Sequence, residues 1–558
     1  MTVNLFRRCA CAVLALQAST AVAGGDLALV NGHIWTGNPD QPVVAALAIA
    51  DGRVVAVGAG DVVRAALGAD AGIIDLDGRF AMPGFNDAHA HLGNAVLQTI
   101  NLDLTNVGSL AELKTRLGQH ASTRVSGQWI YGRGWDESLW LVSEVPTKDD
   151  LDTIAGDHPV YLERADGHSA IVNSLALEQA GIDAATPDPD GGLIVRDADG
   201  LATGWLKENA QLMVERLIPP PSPAQVREGL KSVFANSLAN GVTSFQDDSL
   251  RMGAYGRVVV DELKALAAAG ELPIRISTWL PFESPLGELE AMRADLGSED
   301  PWLRAGLLKT NIDGSGGSLS AAMLEDYENA PGNRGLLLMD PETLTRLVIE
   351  RDAAGFQLGI HTIGDRANRV ILDAYAAAVE ANGERDARHR VEHAQFVTDE
   401  DVARFAELNV IASMQPCHLL TDMRWAPAIL GPDREREGYR WRSLLDAGAR
   451  LAFGTDYPVE PIDPFRGLYA SVTREFAAGG PEGGWIPAEK ITIEEAITAY
   501  TRDAAYAEFE DRRKGTLAPG MFGDVVVLDR DLTAAAPAEL LKAKVLFTIV
   551  DGRVLYER

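Results

Sequence analysis

The stretch Pro83-Gly84-Phe85-Asn86-Asp87-Ala88-His89-Ala90-His91 decides the reading of this chain. On a β-strand, residues two apart project to the same face. His89 and His91 therefore aim two imidazoles at one point, as a metal site requires. The run before them, Arg79-Phe80-Ala81-Met82, reads as a short strand leaving an Asp77-Gly78 turn. A lone His-x-His pair is a moderate signal, since most such pairs are structural histidines. Its weight comes from polar residues that end later strand-like runs.

Working outward, those runs include Val160-Tyr161-Leu162-Glu163, Val242-Thr243-Ser244-Phe245-Gln246, Arg275-Ile276-Ser277-Thr278-Trp279-Leu280 and Gly306-Leu307-Leu308-Lys309-Thr310. They continue with Gln357-Leu358-Gly359-Ile360-His361, His389-Arg390-Val391-Glu392-His393, Val410-Ile411-Ala412-Ser413-Met414-Gln415 and Arg450-Leu451-Ala452-Phe453-Gly454. Helical spacing of apolar residues separates many of them, as in Val226 to Ala239 and Pro341 to Ala354. Alternating β and α over this length means a parallel sheet, open or closed into a barrel. Both chain ends differ in style. Ala46 to Gly58 and Val545 to Tyr556 are Asp-Gly hairpins of short apolar strands, so a small β-domain built from both ends fits economically. Gly314-Ser315-Gly316-Gly317 has neither Rossmann nor P-loop spacing and reads as a loop that lets backbone approach a ligand.

The 558 residues suffice for one large domain plus a smaller one. A hydrophobic content of 46% and a charged content of 23% are those of an ordinary globular chain. The formal charge of −30 repels phosphate backbones and excludes a nucleic-acid partner. Residues 1–23 read as a secretory signal: Arg7 and Arg8, an apolar run from Cys9 to Ala18, and a small-x-small site at Ala21-Val22-Ala23. The expectation is an exported protein, periplasmic or secreted, with no stable membrane insertion after cleavage. Cys417 is then its only cysteine, which excludes an internal disulfide.

In a (β/α)8 barrel, functional groups project from the C-terminal strand ends. Here those ends carry His89, His91, Lys309, His361, His393 and Asp456. Each alone has a structural reading, a capped histidine or a helix-capping aspartate. Six together suit a metal.

At this point the chain resembles the amidohydrolase superfamily of metal-dependent hydrolases, and within it the family 3 branch similar to N-substituted formamide deformylase. The motifs that carry the resemblance are Pro83 to His91, Gly134-Trp135-Asp136-Glu137-Ser138, Asp166-Gly167-His168-Ser169-Ala170 and Lys309-Thr310-Asn311-Ile312-Asp313-Gly314-Ser315. Ile360-His361-Thr362-Ile363-Gly364-Asp365, Glu392-His393-Ala394 and Gly454-Thr455-Asp456-Tyr457-Pro458 complete the set. The resemblance implies an α/β fold, a (β/α)8 TIM-like barrel with a small β-sandwich formed by both chain ends. The divisions are then 1–23 signal, 24–82 and 511–558 sandwich, and 83–510 barrel with insertions. It also implies one or two divalent metals. His89, His91 and Asp456 hold the first, His361 and His393 the second, and Lys309 bridges them as an N-carboxylated lysine. Zinc suits imidazole and carboxylate ligands. A homodimer is implied by analogy alone.

The chemistry that follows is hydrolysis of a C–N bond (amide, N-acyl or N-formyl) in a small molecule. A bound cation makes hydroxide available near neutral pH. Asp456 takes the proton and passes it to the leaving amine. His168 polarises the scissile carbonyl or contacts substrate, unless it is a structural histidine. Asp136 and Arg164 line the mouth, and His418 and Asp422 share a loop that reaches substrate. Asp365 orients His361 or caps the next helix. Glu392 is a partner of a ligand whose side chain points away from His393. Of the aromatic residues near motif loops, Trp135 is assigned to an apolar pocket wall and most others to core packing. A Cys417 nucleophile with His418 is the minor alternative. A deaminase or a lactone or ester hydrolase on the same site stays open, as does a non-catalytic exported binding protein with this fold.

Overall fold

The computed structural model describes residues 26–68 and 70–558, so the signal segment expected at 1–23 lies outside the described residues. Eight parallel strands form the central sheet: Phe85–Ala90, Val242–Asp247, Arg275–Pro281, Leu303–Asn311, Leu358–Thr362, Arg390–His393, Ile411–Met414 and Arg450–Phe453. Almost every residue in them is buried, because side chains face either the interior or the surrounding helices. The ring closes just beyond the eighth strand. The Asp456 amide donates to the His89 carbonyl at 2.8 Å, and the His91 amide donates to the Tyr457 carbonyl at 2.8 Å. The architecture is thus a (β/α)8 barrel.

Local chemistry sets the helix starts. Pro223–Ala239 begins with Pro in its first turn behind a Ser222–Gln225 capping box, and Pro341–Ala353 begins behind Asp340, whose carboxylate accepts from the amides of Glu342 and Thr343. Caps of this kind extend the first helix three residues beyond its apolar pattern.

Two further sheets flank the barrel base. One takes Arg53–Gly58, Ala46–Ala50, Leu27–Val30 and Gly72–Asp75. The other runs Arg553–Glu557, Val545–Val550, Val525–Leu528, Phe80–Pro83, His33–Trp35 and Val43–Val44, and so interleaves both chain ends. Leu29, Ile34, Leu47, Ile49, Val525, Val527 and Ile549 fill the space they share.

Val160–Arg164 does not join the barrel. It belongs to a separate six-stranded sheet, ordered Gly192–Arg196, Ala202–Glu208, Ser169–Val172, Val160–Arg164, Ile130–Trp135 and Leu102–Asp103, inserted between the first and second barrel strands. Strand-like composition says nothing about which sheet a strand enters, hence the discrepancy. One face of this lobe carries Tyr131 and Tyr161 into the barrel's core, and the other carries Ile130, Val160 and Leu162 into a core of its own. Among the described residues no helix is long and apolar enough to cross a membrane.

Barrel and sandwich are riveted by charge. Arg275, at the start of the third barrel strand, donates to both oxygens of Asp524 at 2.7 and 3.0 Å, with its guanidinium 3.6 Å from the Phe522 ring centre. Both partners are buried. Arg275→Ala strands a buried carboxylate and is expected to cost about 3–5 kcal/mol. A denaturant titration checks this; an unchanged midpoint would show that the pair adds nothing.

Candidate active site

The six strand-end residues meet at one mouth of the barrel. His89 is the penultimate residue of the first strand, fully buried, and its Nδ1 donates to Glu392 Oε2 at 2.7 Å. Glu392 is held in turn by Arg390, whose Nε lies 2.7 Å from Oε1. This fixes the tautomer of His89 and leaves the Nε2 lone pair facing inward, 3.6 Å from Asp456 Oδ1. His91 follows the strand, with Nε2 2.9 Å from the same oxygen and Nδ1 3.8 Å from Asp248 Oδ2. Asp456 sits in a left-handed conformation (φ 61°) that turns its carboxylate into the mouth. Gly454 makes room beneath, since a Cβ there would strike the His89 amide. Asp87 staples the seam by accepting from the amides of His89 and Thr455 at 3.2 and 2.8 Å.

On the opposite side the ring of His393 lies 4.5 Å from that of His361 and 5.0 Å from that of His89. His361 Nε2 is 3.3 Å from the Gly314 carbonyl, which can only accept, so its Nδ1 keeps a lone pair. Lys309, at the end of the fourth strand, is buried with Nζ 3.5 Å from Asp248 Oδ2. Ligand atoms of His89, His91 and Asp456 lie within 4.8 Å of one another, and so do those of His393, His418 and Asp456.

Electrostatics keep these atoms ready for a cation. Burial, reinforced by the Lys309 charge, pushes His89 down to about 4, and burial holds His361 and His393 well below the usual imidazole range. Burial alone would raise Asp456, but His89, His418 and His91 hold it well below the ordinary carboxylate range. His89 Nε2 and Asp456 Oδ1 are both buried and make no hydrogen bond. Each such orphan costs about 1–3 kcal/mol, a cost that a cation between them removes. The donor set therefore fits a divalent metal.

A family model described as "Amidohydrolase family" matches residues 72–556. The chain belongs to the amidohydrolase family. It is 36% identical to Protein LONG AFTER FAR-RED 3 of Arabidopsis thaliana, with 97% of this chain and 94% of the relative covered. It is 28% identical to N-substituted formamide deformylase of Arthrobacter pascens, with 96% and 98% covered. Among solved structures, an uncharacterized metal-dependent hydrolase from Pyrococcus horikoshii superimposes with a TM-score of 0.74 at 29% identity, covering 92% of this chain and 99% of that one.

Around this amidohydrolase centre the remaining expected residues divide. His168 arrives from the inserted lobe with its ring 5.4 Å from that of His361. Burial opposes its charge, but Glu208, 2.9 Å from Nδ1, outweighs burial and raises it to about 9. His418 lies closer to the centre than a substrate contact, with Nε2 3.0 Å from Asp456 Oδ2. Arg164 and Asp136 pair at 2.7 Å, and Arg164 also binds Glu137 at 2.9 Å and Asp166 at 2.8 Å. Asp422 turns Oδ2 to Gln395 at 2.6 Å and to Tyr439, so that oxygen is not free for substrate. Asp365 accepts from the amides of Leu324 and Arg366 rather than from His361. Cys417 is buried, and burial raises its thiol well above the usual range, which disqualifies it as a nucleophile.

Trp135 is a correction. It is fully buried in the lobe's own core and its indole N–H donates to the Leu162 carbonyl at 2.9 Å. A register irregularity between Arg133 and Trp135 transfers the ring to the Ile130 face. Asp248 and Glu208 were not read from the sequence. Asp248 directly follows the second strand, a position that could have flagged it; Glu208 carries no local signal.

Glu392→Ala should weaken metal binding about 10- to 100-fold. Competition against a chromophoric chelator measures it, and unchanged affinity would deny Glu392 its orienting role. Because His89 titrates near 4 and not at 6.5, protons compete for its lone pair only at lower pH. Metal content after equilibration should hold from about pH 7 to 5 and fall below that. Release near 6.5 would contradict this.

Proposed function

We propose that this amidohydrolase cleaves a C–N bond, an amide, N-acyl or N-formyl linkage, in a small molecule, with zinc as the cation at one or two positions. The observation that carries the reading is the facing pair of orphaned atoms, His89 Nε2 and Asp456 Oδ1, beside the imidazoles of His361 and His393, which burial holds well below the usual range. Similarity along nearly the whole chain to a protein named for deformylating N-substituted formamides supports the bond class. The signal-like segment at residues 1–23 supports export.

Bound zinc supplies an activated water and polarises the scissile carbonyl. The chain's own residues do the rest. With Oδ1 of Asp456 turned to His89 and His91, Oδ2 is the atom that holds the proton taken from water and passes it to the amine. His418, 3.0 Å from Oδ2, keeps that oxygen in place. His168, held charged by Glu208, offers a donor to the developing oxyanion from the opposite side. Lys309 is buried with its pKa lowered, chiefly by burial, and its charge reaches His361 and His393. A neutral amine is the form that takes up CO2, and N-carboxylation turns it into an anionic ligand in place of a repelling ammonium.

Chelation should abolish amine release from a panel of N-formyl and N-acyl amines, and zinc should restore it. Asp456→Asn should lower kcat about 10²- to 10⁴-fold in a folded protein. Ammonia release in place of amine plus acid would redirect the assignment to a deaminase. Turnover that survives both metal removal and Asp456→Asn would end the metal-hydrolytic reading.

A further inference from the structure

His168 reaches the ligand cluster from the inserted lobe, and the contacts that hold it form a closed ring. Its Nδ1 lies 2.9 Å from Glu208 Oε2. Glu208 Oε1 accepts from Ser320 Oγ at 2.6 Å. Ser320 Oγ lies 2.7 Å from Ser318 Oγ, which lies 2.8 Å from Ser315 Oγ. Ser315 donates to Asp166 Oδ2 at 3.2 Å, and Asp166 Oδ1 accepts the His168 amide at 3.1 Å. The ring crosses the seam between the inserted lobe, which supplies Asp166, His168 and Glu208, and the loop after the fourth barrel strand, which supplies the three serines.

Two backbone features show that the ring is built for Glu208. Glu208 occupies a left-handed conformation (φ 47°), unfavourable for a residue with a Cβ, and its amide donates to the His168 carbonyl at 3.0 Å. Glycine at 314 is demanded by the same carboxylate, because a Cβ there would run into both Ser320 Oγ and Glu208 Oε1. The Gly-rich loop read from the sequence as an approach to a ligand is, at this position, an approach to Glu208.

We propose that Glu208 is a positioning residue: one carboxylate oxygen holds His168 by Nδ1, the other is pinned by Ser320, and Nε2 of His168 is thereby presented to the scissile carbonyl oxygen of a substrate lying beside His361. The substrate part rests on the hydrolytic reading above; the positioning part rests on geometry alone. Loss of the carboxylate frees the imidazole to rotate and exchange tautomers, while the barrel and its ligands stay in place.

Nitrogen-15 NMR of histidine-labelled protein reads the positioning directly, and steady-state kinetics on N-formyl amines reads its consequence. In the wild type His168 should show one fixed state with a protonated Nδ1. In Glu208→Ala that signal should be lost to averaging, with kcat down about 100-fold, KM within about threefold and bound metal unchanged. Glu208→Gln, which can still accept from Nδ1, should restore at least a tenth of the rate. Adding His168→Ala to Glu208→Ala should cost little more, because both changes remove one device. Should Glu208→Ala fail to fold, Ser320→Ala, which unpins one oxygen only, should still shift the signal. An unshifted His168 signal in whichever of these variants folds overturns the proposal, as does full kcat in Glu208→Ala. A shifted signal in a protein whose wild type hydrolyses no amide retains Glu208 as the positioning residue and removes the hydrolytic reading instead.

Discussion

A carboxylate oxygen and an imidazole nitrogen face each other across 3.6 Å at the barrel mouth, and neither makes a hydrogen bond. Folding does not bury two opposed acceptors without a compensating charge. The surroundings enforce the opposition. Arg390 fixes Glu392, Glu392 fixes His89, and the left-handed turn at Asp456 fixes the other acceptor. Below the mouth, Arg390 also donates to the Ala88 carbonyl, to Ser413 and to Gln246, so one guanidinium ties three further barrel strands to the strand that carries Glu392.

The barrel was legible because its strands are short apolar runs separated by helices with recognisable caps, and because the fold concentrates chemistry at strand ends. His89, His361, His393, Lys309 and Asp456 could be picked out on that basis, and the structure brings them together. Their partners could not. His89 and Glu392 are 303 positions apart, and no local spacing records their hydrogen bond. Glu392 was expected to point away from His393, and its contact with His89 across the barrel shows where it points instead. Trp135 was misplaced for a different reason: alternation puts it on the face of Tyr131, but one irregularity in the ladder sends the ring to the other side.

The inserted lobe changes what kind of site this is. A barrel alone would present ligands in an open bowl. The lobe lays Tyr131 and Tyr161 on the barrel core and brings His168 in from above. Arg164 is neutralised within the lobe by Asp136, Glu137 and Asp166.

Closure of the barrel joins distant stretches of polypeptide, since Thr455 and Asp87 are 368 positions apart. A nascent chain leaving the ribosome therefore carries His89 and His91 for most of its synthesis without the aspartate that completes their cradle. Ion capture must wait for the eighth strand to dock, and any ion then bound works as a clasp on the last seam to close.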